Sequence, residues 1–514
     1  MRKLDYHGRV LVIGFGGVAQ CTLPLLLKNL GIPAHHYTVV DFVEFDPERS
    51  SPYIQQGVHF EKLRITPQNL RAELERHLQP GDLLVDLAWN IDCIELLEWC
   101  RARGVMYINT SVELWDPYQG AETLTPPERT LYVRHRALTK MIERWGDNHG
   151  TTALLDHGAN PGLVSHFAKR ALRDITHRLL AENPRDPRRA GLEKALEGRH
   201  YNHLARGLGV RVIHISERDT QHSRRVRKPH EFMNTWSVEG FFEEGIAPAE
   251  MGWGTHEQTL PEGAWEHREG PRNQICLERR GMDTFVRTRV PSAEIAGMVI
   301  RHGEAYSLSH YLQVDDDRGH AVYRPTVHYA YLPCPQAVTC LQEVRDRNYT
   351  PPHSHHIMSN DIEGGADELG VLLMGHDYKS WWCGTVLSID EARKLLPGQN
   401  ATTLQVAASV LGAVSWMIRN PRSGVRLPDE LPDDEILAVA ESYLGIVPSL
   451  PLDWVPTAPG GVPGDHRQDA AWQFDRFLIG ASERDPQGER ITGARLLHEH
   501  PDLQAYRQRA SVRG

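Results

Sequence analysis

The chain has 514 residues, 40% of them apolar and 24% charged, with a formal net charge of −10 and seven cysteines. That length allows two or three domains with substantial cores, and the negative balance argues against a nucleic-acid or anionic-membrane partner while suiting cationic small molecules. Cys21, Cys93, Cys100, Cys276, Cys334, Cys340 and Cys383 are scattered with no C-x-x-C pair, and no apolar signal segment precedes the first strand, so reduced thiols in a cytoplasmic protein are expected.

Residues 9–41 read RVLVIGFGGVAQCTLPLLLKNLGIPAHHYTVVD. Val10, Leu11, Val12 and Ile13 form the apolar run of a buried parallel strand. Gly14, Gly16 and Ala19 follow as G-x-G-x-x-A, with Gly17 and Val18 in the same turn. They open a helical pattern through Leu23, Leu26, Leu27 and Leu30 that Gly31 and Pro33 stop. A second apolar strand, 38–40, ends in Asp41. In a dinucleotide site Gly14 permits the tight turn, Gly16 the approach of a pyrophosphate, and Ala19 close helix–strand packing; the helix N-terminus offers N–H groups to the phosphates. Asp41, 22 residues beyond Ala19, is placed to accept from an adenosine ribose hydroxyl, which favours NAD over NADP. The alternative is a parallel α/β domain with an ordinary glycine turn.

A helix over 67–78 and a strand over 83–87 come next, the strand running out into Ala88-Trp89-Asn90-Ile91-Asp92. A helix over 94–103 leads to a strand over 105–109, followed by Thr110-Ser111-Val112-Glu113. This alternation continues a Rossmann pattern, in which ligands bind beyond the carboxyl ends of the strands. Asn90, Asp92, Asn109, Ser111 and Glu113 all fall there. A helix over 129–145 precedes a strand over 152–155, which ends in Asp156-His157-Gly158-Ala159-Asn160-Pro161-Gly162. From 173 to 206 the chain is Arg-rich with interleaved acids and a break at Asn183-Pro184-Arg185-Asp186-Pro187, read as a surface excursion. A strand over 210–216 ends in Glu217-Arg218-Asp219. Short strands, aromatics and loops run on to about residue 384, with late strands at 371–374 and 385–387. A helix over 402–418, too short in its apolar part to span a bilayer, carries small-residue faces suited to packing against the first domain or another subunit. A helix over 433–444 follows, then Pro- and Gly-rich segments and a polar, Arg-rich end that wraps loosely on the surface.

The fold class is α/β: a Rossmann-type parallel-sheet domain plus a second, α+β domain. The expected division is 1–156 for the cofactor domain, 157–385 for the α+β domain, 386–425 for the returning helix and 426–514 for a C-terminal extension.

Three stretches gather chemistry. The first is the glycine-bracketed turn 156–162, which is equally readable as an ordinary strand-to-helix turn. In the second, HEFMNTWSVEGFFEE over 230–244, Trp236 stands among carboxylates and two phenylalanines. A Trp face attracts an ammonium group by roughly 0.5–2 kcal/mol. The bland alternative is a buried Trp in an amphipathic helix with a solvated acidic face. The third, PHSHHIMSNDIEGGADELG over 352–370, holds three histidines and several acids, but its spacing matches no zinc signature. A polar loop over a substrate cleft, without metal, is the better reading. The chain has no G-x-S-x-G elbow, no P-loop and no cysteine-nucleophile signature, which leaves hydride chemistry on a nicotinamide cofactor.

GFGGVAQ followed by VVD, LAWNID, YINTSVE, DHGANPG, HEFMNTWSVEGFFEE, IRHGEAYSL and IEGGADELGVLL together resemble the bacterial homospermidine synthases, relatives of saccharopine dehydrogenase. The resemblance runs over nearly the whole chain. It implies a homodimer, with the α+β domain serving dimerisation and substrate binding, and an NAD that stays bound and is recycled. It implies conversion of two putrescines to sym-homospermidine and ammonia, with spermidine as an alternative aminobutyl donor that releases 1,3-diaminopropane.

The residues suit that chemistry. A diamine nitrogen is protonated near neutral pH, and freeing the electron pair beside the reacting carbon costs about 4–5 kcal/mol at pH 7. Burial beside a nicotinamide cation lowers that cost, and a base can take the proton. By resemblance, Trp236 holds the cation, Glu217 and Glu244 bind or deprotonate amines, and Asn160 orients the reacting amine. His302 is the candidate proton carrier, Asp367 or Asp361 anchors the distal ammonium, and Asp92 and Glu113 line the entrance. Glu239, three residues from Trp236, is expected to share a helix face with it. On the cofactor side the expectation covers Gly14, Gly16, Gly17, Val18 and Asp41, and at later strand ends Ala88, Asn90, Thr110, Asp156, Ala159 and Asn160. Two other readings stay open: a net dehydrogenase of the saccharopine or carboxynorspermidine type, whose acidic substrates call for Arg or Lys, and a non-catalytic NAD-binding protein.

Overall fold

The structure, a computed structural model, describes residues 3–456 and 470–480. It contains two compact units. One comprises Met1–Leu124, Val133–His166 and Leu395–Leu444, and the other Thr125–Tyr132, Phe167–Lys394 and the described residues from 445 onward.

The first unit is built on seven parallel strands. Across the sheet they run Val425–Arg426, Ala153–Leu154, Met106–Asn109, Leu83–Asp86, Val10–Ile13, Tyr37–Asp41 and His59–Lys62. The runs VLVI and LLVD are buried at every position, as a strand covered on both faces requires. Chain order reverses between Val10–Ile13 and Leu83–Asp86, which opens a crevice beyond their carboxyl ends. The Ala401–Arg419 helix packs against Gly17–Asn29 and Asp433–Ala440. Its small residues serve close approach: a Cβ on Gly412 would stand 3.0 Å from the Ile436 carbonyl oxygen. At 19 residues this helix is longer than expected and, among the described residues, is the one long and apolar enough to cross a membrane; 89% of that stretch is buried in the protein.

The division of the chain differs from the expected one in four places. Thr125–Tyr132 belongs to the second unit, residues 157–166 belong to the first, and the returning stretch begins at Leu395 instead of 386 and continues through Leu444 before the chain rejoins the second unit. Residues 426–444 are therefore no extension. Val425–Arg426 completes the parallel sheet beside Ala153–Leu154, a pairing too short to show in sequence.

The second unit centres on a ten-stranded sheet. Val212–Asp219 lies parallel to Thr326–Leu332 on one side and antiparallel to Ala366–His376 on the other. The strand thus runs through Glu217, Arg218 and Asp219 instead of ending before them. Alternation sends Glu217 and Asp219 to one face, and His214 and Ser216 to the other. The Arg-rich stretch is also more than a surface excursion. It folds as the end of Leu163–Glu182, then Arg189–Glu197 and Tyr201–Leu208, burying Leu192, Ala195, Leu204 and Leu208, while Arg188 bonds Asp186 and Asp377.

Residues 470–480 pack into the core of the second unit. Trp472, Phe474 and Phe477 join the core formed by Val212, Leu372, Met374 and Trp382. They cover the rear of the central strands: Phe477 lies 4.8 Å from the His214 ring and Phe474 5.6 Å from the His328 ring. His256 Nε2 lies 2.9 Å from the Trp472 carbonyl, and Glu257 accepts from Thr326 Oγ1 at 2.6 Å and from the Phe474 N–H at 3.0 Å. The Arg-rich tail beyond residue 480 lies outside the described residues.

Burial, with a smaller push from Asp475, raises the Glu257 carboxyl to about 7. A raised folded-state pKa means stability that is complete below the unfolded value of about 4.3 and lost as pH rises through the folded one. Urea midpoints measured from about pH 5 to about pH 8 should therefore change less steeply for Glu257→Gln than for wild type. Parallel profiles would show that Glu257 is ionised in the folded protein throughout.

Candidate functional site

In the first unit, the turn after the Val10–Ile13 strand has the shape a phosphate-binding loop needs. Gly14 has φ +87°, and a Cβ there would meet the Leu87 carbonyl oxygen at 2.8 Å. Gly16 is exposed, with nothing within 4 Å of where its Cβ would be. The Gly17–Asn29 helix that follows has no side-chain cap and no acid in its first turn, so its N–H groups and positive dipole end are not neutralised by the helix's own residues. Ala19 is buried and Val18 half-buried. Asp41 closes the loop by accepting from the Phe15 N–H at 2.6 Å and the Val43 N–H at 3.1 Å, so its carboxylate is fixed in place. Each carboxylate oxygen has a second acceptor site to offer a ribose. These residues fit a dinucleotide.

Further strand ends carry a buried network. Asp86 accepts from Tyr107 Oη at 2.9 Å and from the Ala88 N–H at 3.3 Å, and burial pushes its carboxyl up to about 7. Asn90 is half-buried with φ +65°. Thr110 is half-buried beyond Asn109, and Asn109 Oδ1 accepts from the Asp156 N–H at 2.9 Å. Asp156 also lies 3.1 Å from His135 Nε2. The 156–162 turn is tight: at Gly162, φ +130°, a Cβ would stand 2.2 Å from the Gly158 carbonyl oxygen. Ala159 is buried in it and Asn160 half-buried. Behind the turn, fully buried His157 lies 3.1 Å from Ser409 Oγ on one side and 3.1 Å from His166 Nε2 on the other.

Two expected entrance residues have local partners. Asp92 caps the Cys93–Arg103 helix by accepting from the Glu95 N–H at 3.0 Å, which accounts for an acid at that position without a ligand. Glu113 is buried and accepts from Ser111 Oγ at 2.6 Å.

In the second unit the register of three strands makes an acidic, aromatic face. Glu217 pairs across with Tyr331 and Leu369, and Asp219 with Asp367. Tyr329 Oη donates to Glu217 Oε2 at 2.5 Å, and the Tyr329 ring stacks on Tyr331 at 5.1 Å. Trp236, half-buried, donates from Nε1 to Tyr331 Oη at 3.1 Å and leans on Phe241 at 5.4 Å. Thr235 Oγ1 donates to Asp219 Oδ2 at 2.6 Å. His302 is buried, with Nδ1 2.5 Å from Glu304 Oε2 and its ring 4.8 Å from Tyr329. Burial first, and then the Glu217 charge, push the Tyr329 and Tyr331 hydroxyls well above their usual range. Glu217, Trp236, His302 and Asp367 of the expected residues thus belong to one neighbourhood. Asp219, Tyr329, Tyr331 and Glu304 belong to it as well, unannounced by any motif.

Other expectations in this unit change. The Val238–Ile246 helix starts after Trp236, with Ser237 as its cap accepting from the Gly240 N–H at 3.1 Å, so Trp236 and Glu239 share no helix face. Glu239 instead lies 2.9 Å from His355 Nδ1. Although burial opposes it, hydrogen bonding from His355 holds the Glu239 carboxyl below its ordinary value. Glu244 is half-buried on that helix, beside Glu243, which pairs with Arg301. Asp361 accepts from Ser223 Oγ at 2.5 Å and the Ser359 N–H at 2.9 Å, and lies 3.0 Å from His356 Nε2. Burial opposes its ionisation, but these contacts outweigh it and hold the carboxyl well below the usual range. Asp361 therefore ties its own loop together, whereas Asp367 lies on the Glu217 face. The histidine-rich stretch is not a loop: Ser354–Ile357 is a strand parallel to Glu231–Asn234.

Residues 10–154 match the family model of the saccharopine dehydrogenase NADP binding domain, and residues 158–447 that of the saccharopine dehydrogenase C-terminal domain. Homospermidine synthase of Mesorhizobium japonicum is 37% identical over 484 residues, covering 92% of this chain and 97% of that protein. The chain belongs to the homospermidine synthase family. Homospermidine synthase of Blastochloris viridis is likewise 37% identical, over 92% of this chain and 98% of that protein. The crystal structure of homospermidine synthase from Legionella pneumophila, in complex with NAD, is 35% identical and superposes with a TM-score of 0.81 over 93% of this chain and 99% of its own. The family's two-domain fold accounts for both units, and residues 470–480 lie beyond the stretch that the C-terminal family model matches.

Proposed function

We propose that the chain is an NAD-dependent homospermidine synthase that joins two putrescines to sym-homospermidine with loss of ammonia, and also accepts spermidine as donor with loss of 1,3-diaminopropane. Family membership at 37% identity over 92% of the chain supports the reaction. The observation that carries the substrate class is the face of Glu217, Asp219 and Asp367 lined by Tyr329, Tyr331 and Trp236. Such a face suits ammonium groups and repels the carboxylates of saccharopine-type substrates.

The chemistry a nicotinamide cofactor supplies is reversible hydride transfer, which lets ammonia be exchanged for a second amine with no net oxidation. The chain's own residues do the rest. Gly14, Gly16 and the N–H groups at the start of Gly17–Asn29 take the phosphates, and Asp41 takes a ribose hydroxyl. Glu217 and Asp367 bind ammonium groups, Trp236 offers its face to a cation, and Glu244 binds or deprotonates a second amine. Asn160 orients the reacting amine, and His302 takes its proton and returns it to the leaving nitrogen. An acidic, aromatic enclosure retains cationic intermediates between the two halves of the reaction. The cofactor stays bound throughout, and the chain acts as a homodimer in the cytoplasm. All seven cysteines are free, as a reducing compartment requires.

Incubation with putrescine and NAD should yield homospermidine and ammonia with no build-up of NADH. Steady NADH accumulation would instead mark a net dehydrogenase, and neither product would reject the assignment. Light scattering should give about twice 58.2 kDa. The fixed Asp41 carboxylate repels a 2′-phosphate, so NAD should bind roughly 10- to 100-fold more tightly than NADP, and Asp41→Asn should narrow that ratio. Equal ratios by calorimetry would remove Asp41 from cofactor choice.

A further inference from the structure

We propose that Tyr329 and Glu304, to which no role is assigned above, are positioning residues: Tyr329 holds Glu217, and Glu304 holds His302, each in one hydrogen-bonding state. The inference rests on the reading that these groups serve a reacting amine.

Tyr329 is 3% exposed, and its ring is held between Tyr331, stacked at 5.1 Å and 12°, and His302 at 4.8 Å. A ring so packed has little freedom to swing, so the hydroxyl stays 2.5 Å from Glu217 Oε2. Burial and the neighbouring acids push that hydroxyl far above its usual range, so it remains a donor at every working pH and is no base itself. A tyrosine that always donates keeps Glu217 an acceptor, the state that binds an ammonium group.

Glu304, 1% exposed, does the corresponding work on the other side of the ring. Its Oε2 lies 2.5 Å from His302 Nδ1. A carboxylate there keeps the proton on Nδ1 and makes Nε2 the nitrogen that accepts one. When Nε2 takes the amine proton the imidazolium forms beside Glu304, and the charge is lost again when that proton goes to departing ammonia. Among the described residues, titratable groups facing this neighbourhood include Asp219 from the same strand as Glu217, Tyr329 and Tyr331 from Thr326–Leu332, and Asp367 from Ala366–His376. Cys334, after the tyrosine strand, and the His302–Glu304 pair lie there as well.

Tyr329→Phe keeps the ring and removes one hydroxyl. It should lower kcat roughly 10- to 100-fold, the worth of a hydrogen bond to a charged group, with little change in NAD affinity. In a Glu217→Gln background the same change should add little, because the two act as one unit. Glu304→Gln should lower kcat roughly 100-fold or more and move the acid limb of the kcat/KM profile to lower pH, since His302 loses the charge that favours its protonation. Wild-type kcat for Tyr329→Phe, losses that simply multiply with those of Glu217→Gln, or an unmoved acid limb for Glu304→Gln would each overturn the assignment. If wild type forms no homospermidine, the functional reading fails separately. Calorimetry of putrescine binding to the NAD-loaded protein then still decides: Tyr329→Phe should weaken binding with Glu217 present, and equal weakening in the Glu217→Gln background would overturn the inference.

Discussion

Glu217→Gln should lower kcat by roughly 10²- to 10⁴-fold, the range associated with losing a charged group that handles protons or holds charge in the transition state. The substitution is nearly isosteric, and a Gln carbonyl can still accept from Tyr329, which Glu217 now meets at 2.5 Å. What disappears is the negative charge in a place 2% exposed, where little water screens it. Thermal unfolding should therefore change little while activity collapses. The split between constants is informative: a rise in KM with kcat intact would mean that Glu217 only binds the diamine, whereas an equal fall in kcat and kcat/KM would place it in the chemical step. A kcat within about threefold of wild type would remove Glu217 from the reaction altogether.

The second large effect is expected at Trp236. Its ring is half-buried, with Nε1 bonded to Tyr331 Oη at 3.1 Å and one side against Phe241 at 5.4 Å. Trp236→Phe keeps an aromatic face but loses the larger surface and the N–H donor, and should cost roughly tenfold in kcat/KM. Trp236→Ala removes the face and the packing together and should cost roughly 100-fold or more. Partly reacted, aldehyde-bearing product should also escape into solution from the Ala variant, since the cation that the ring retains is then free to leave. A Trp236→Ala enzyme as fast as wild type would eliminate retention by the ring.

These two residues differ in how much of their setting can be read along the chain. The Gly14 turn and Asp41 are legible because every interaction there is local: strand, turn, helix, strand and acid follow one another within about thirty residues. The dense carboxylates around Trp236 are also visible, but their geometry is not. Ser237 caps the helix, which starts at Val238, two residues too late for Trp236 and Glu239 to share a face. Asp92 and Asp361 are polar residues beyond strand ends or in an acidic stretch, yet the first caps a helix and the second binds Ser223, Ser359 and His356. A side chain that satisfies neighbouring backbone or a local partner looks the same in a sequence as one that waits for a ligand.

Tyr329, Tyr331 and Asp219 show the converse. TVHYAYL is an ordinary strand in sequence, and its two tyrosines gain meaning because the strand lies parallel to Val212–Asp219 in a register that sets Tyr331 opposite Glu217, more than a hundred residues away in the chain. One step of slip would turn both tyrosines to the rear face, where His328 now meets Phe474. Periodicity and local chemistry thus determined the α/β class, the dinucleotide turn and the acidic character of the stretch around Trp236, because each depends on residues near one another in the chain. Strand register, the return of Ala401–Arg419 and Val425–Arg426 to the parallel sheet, and the seating of residues 470–480 were decided by tertiary structure, because each is a pairing across long sequence separation that no local pattern encodes.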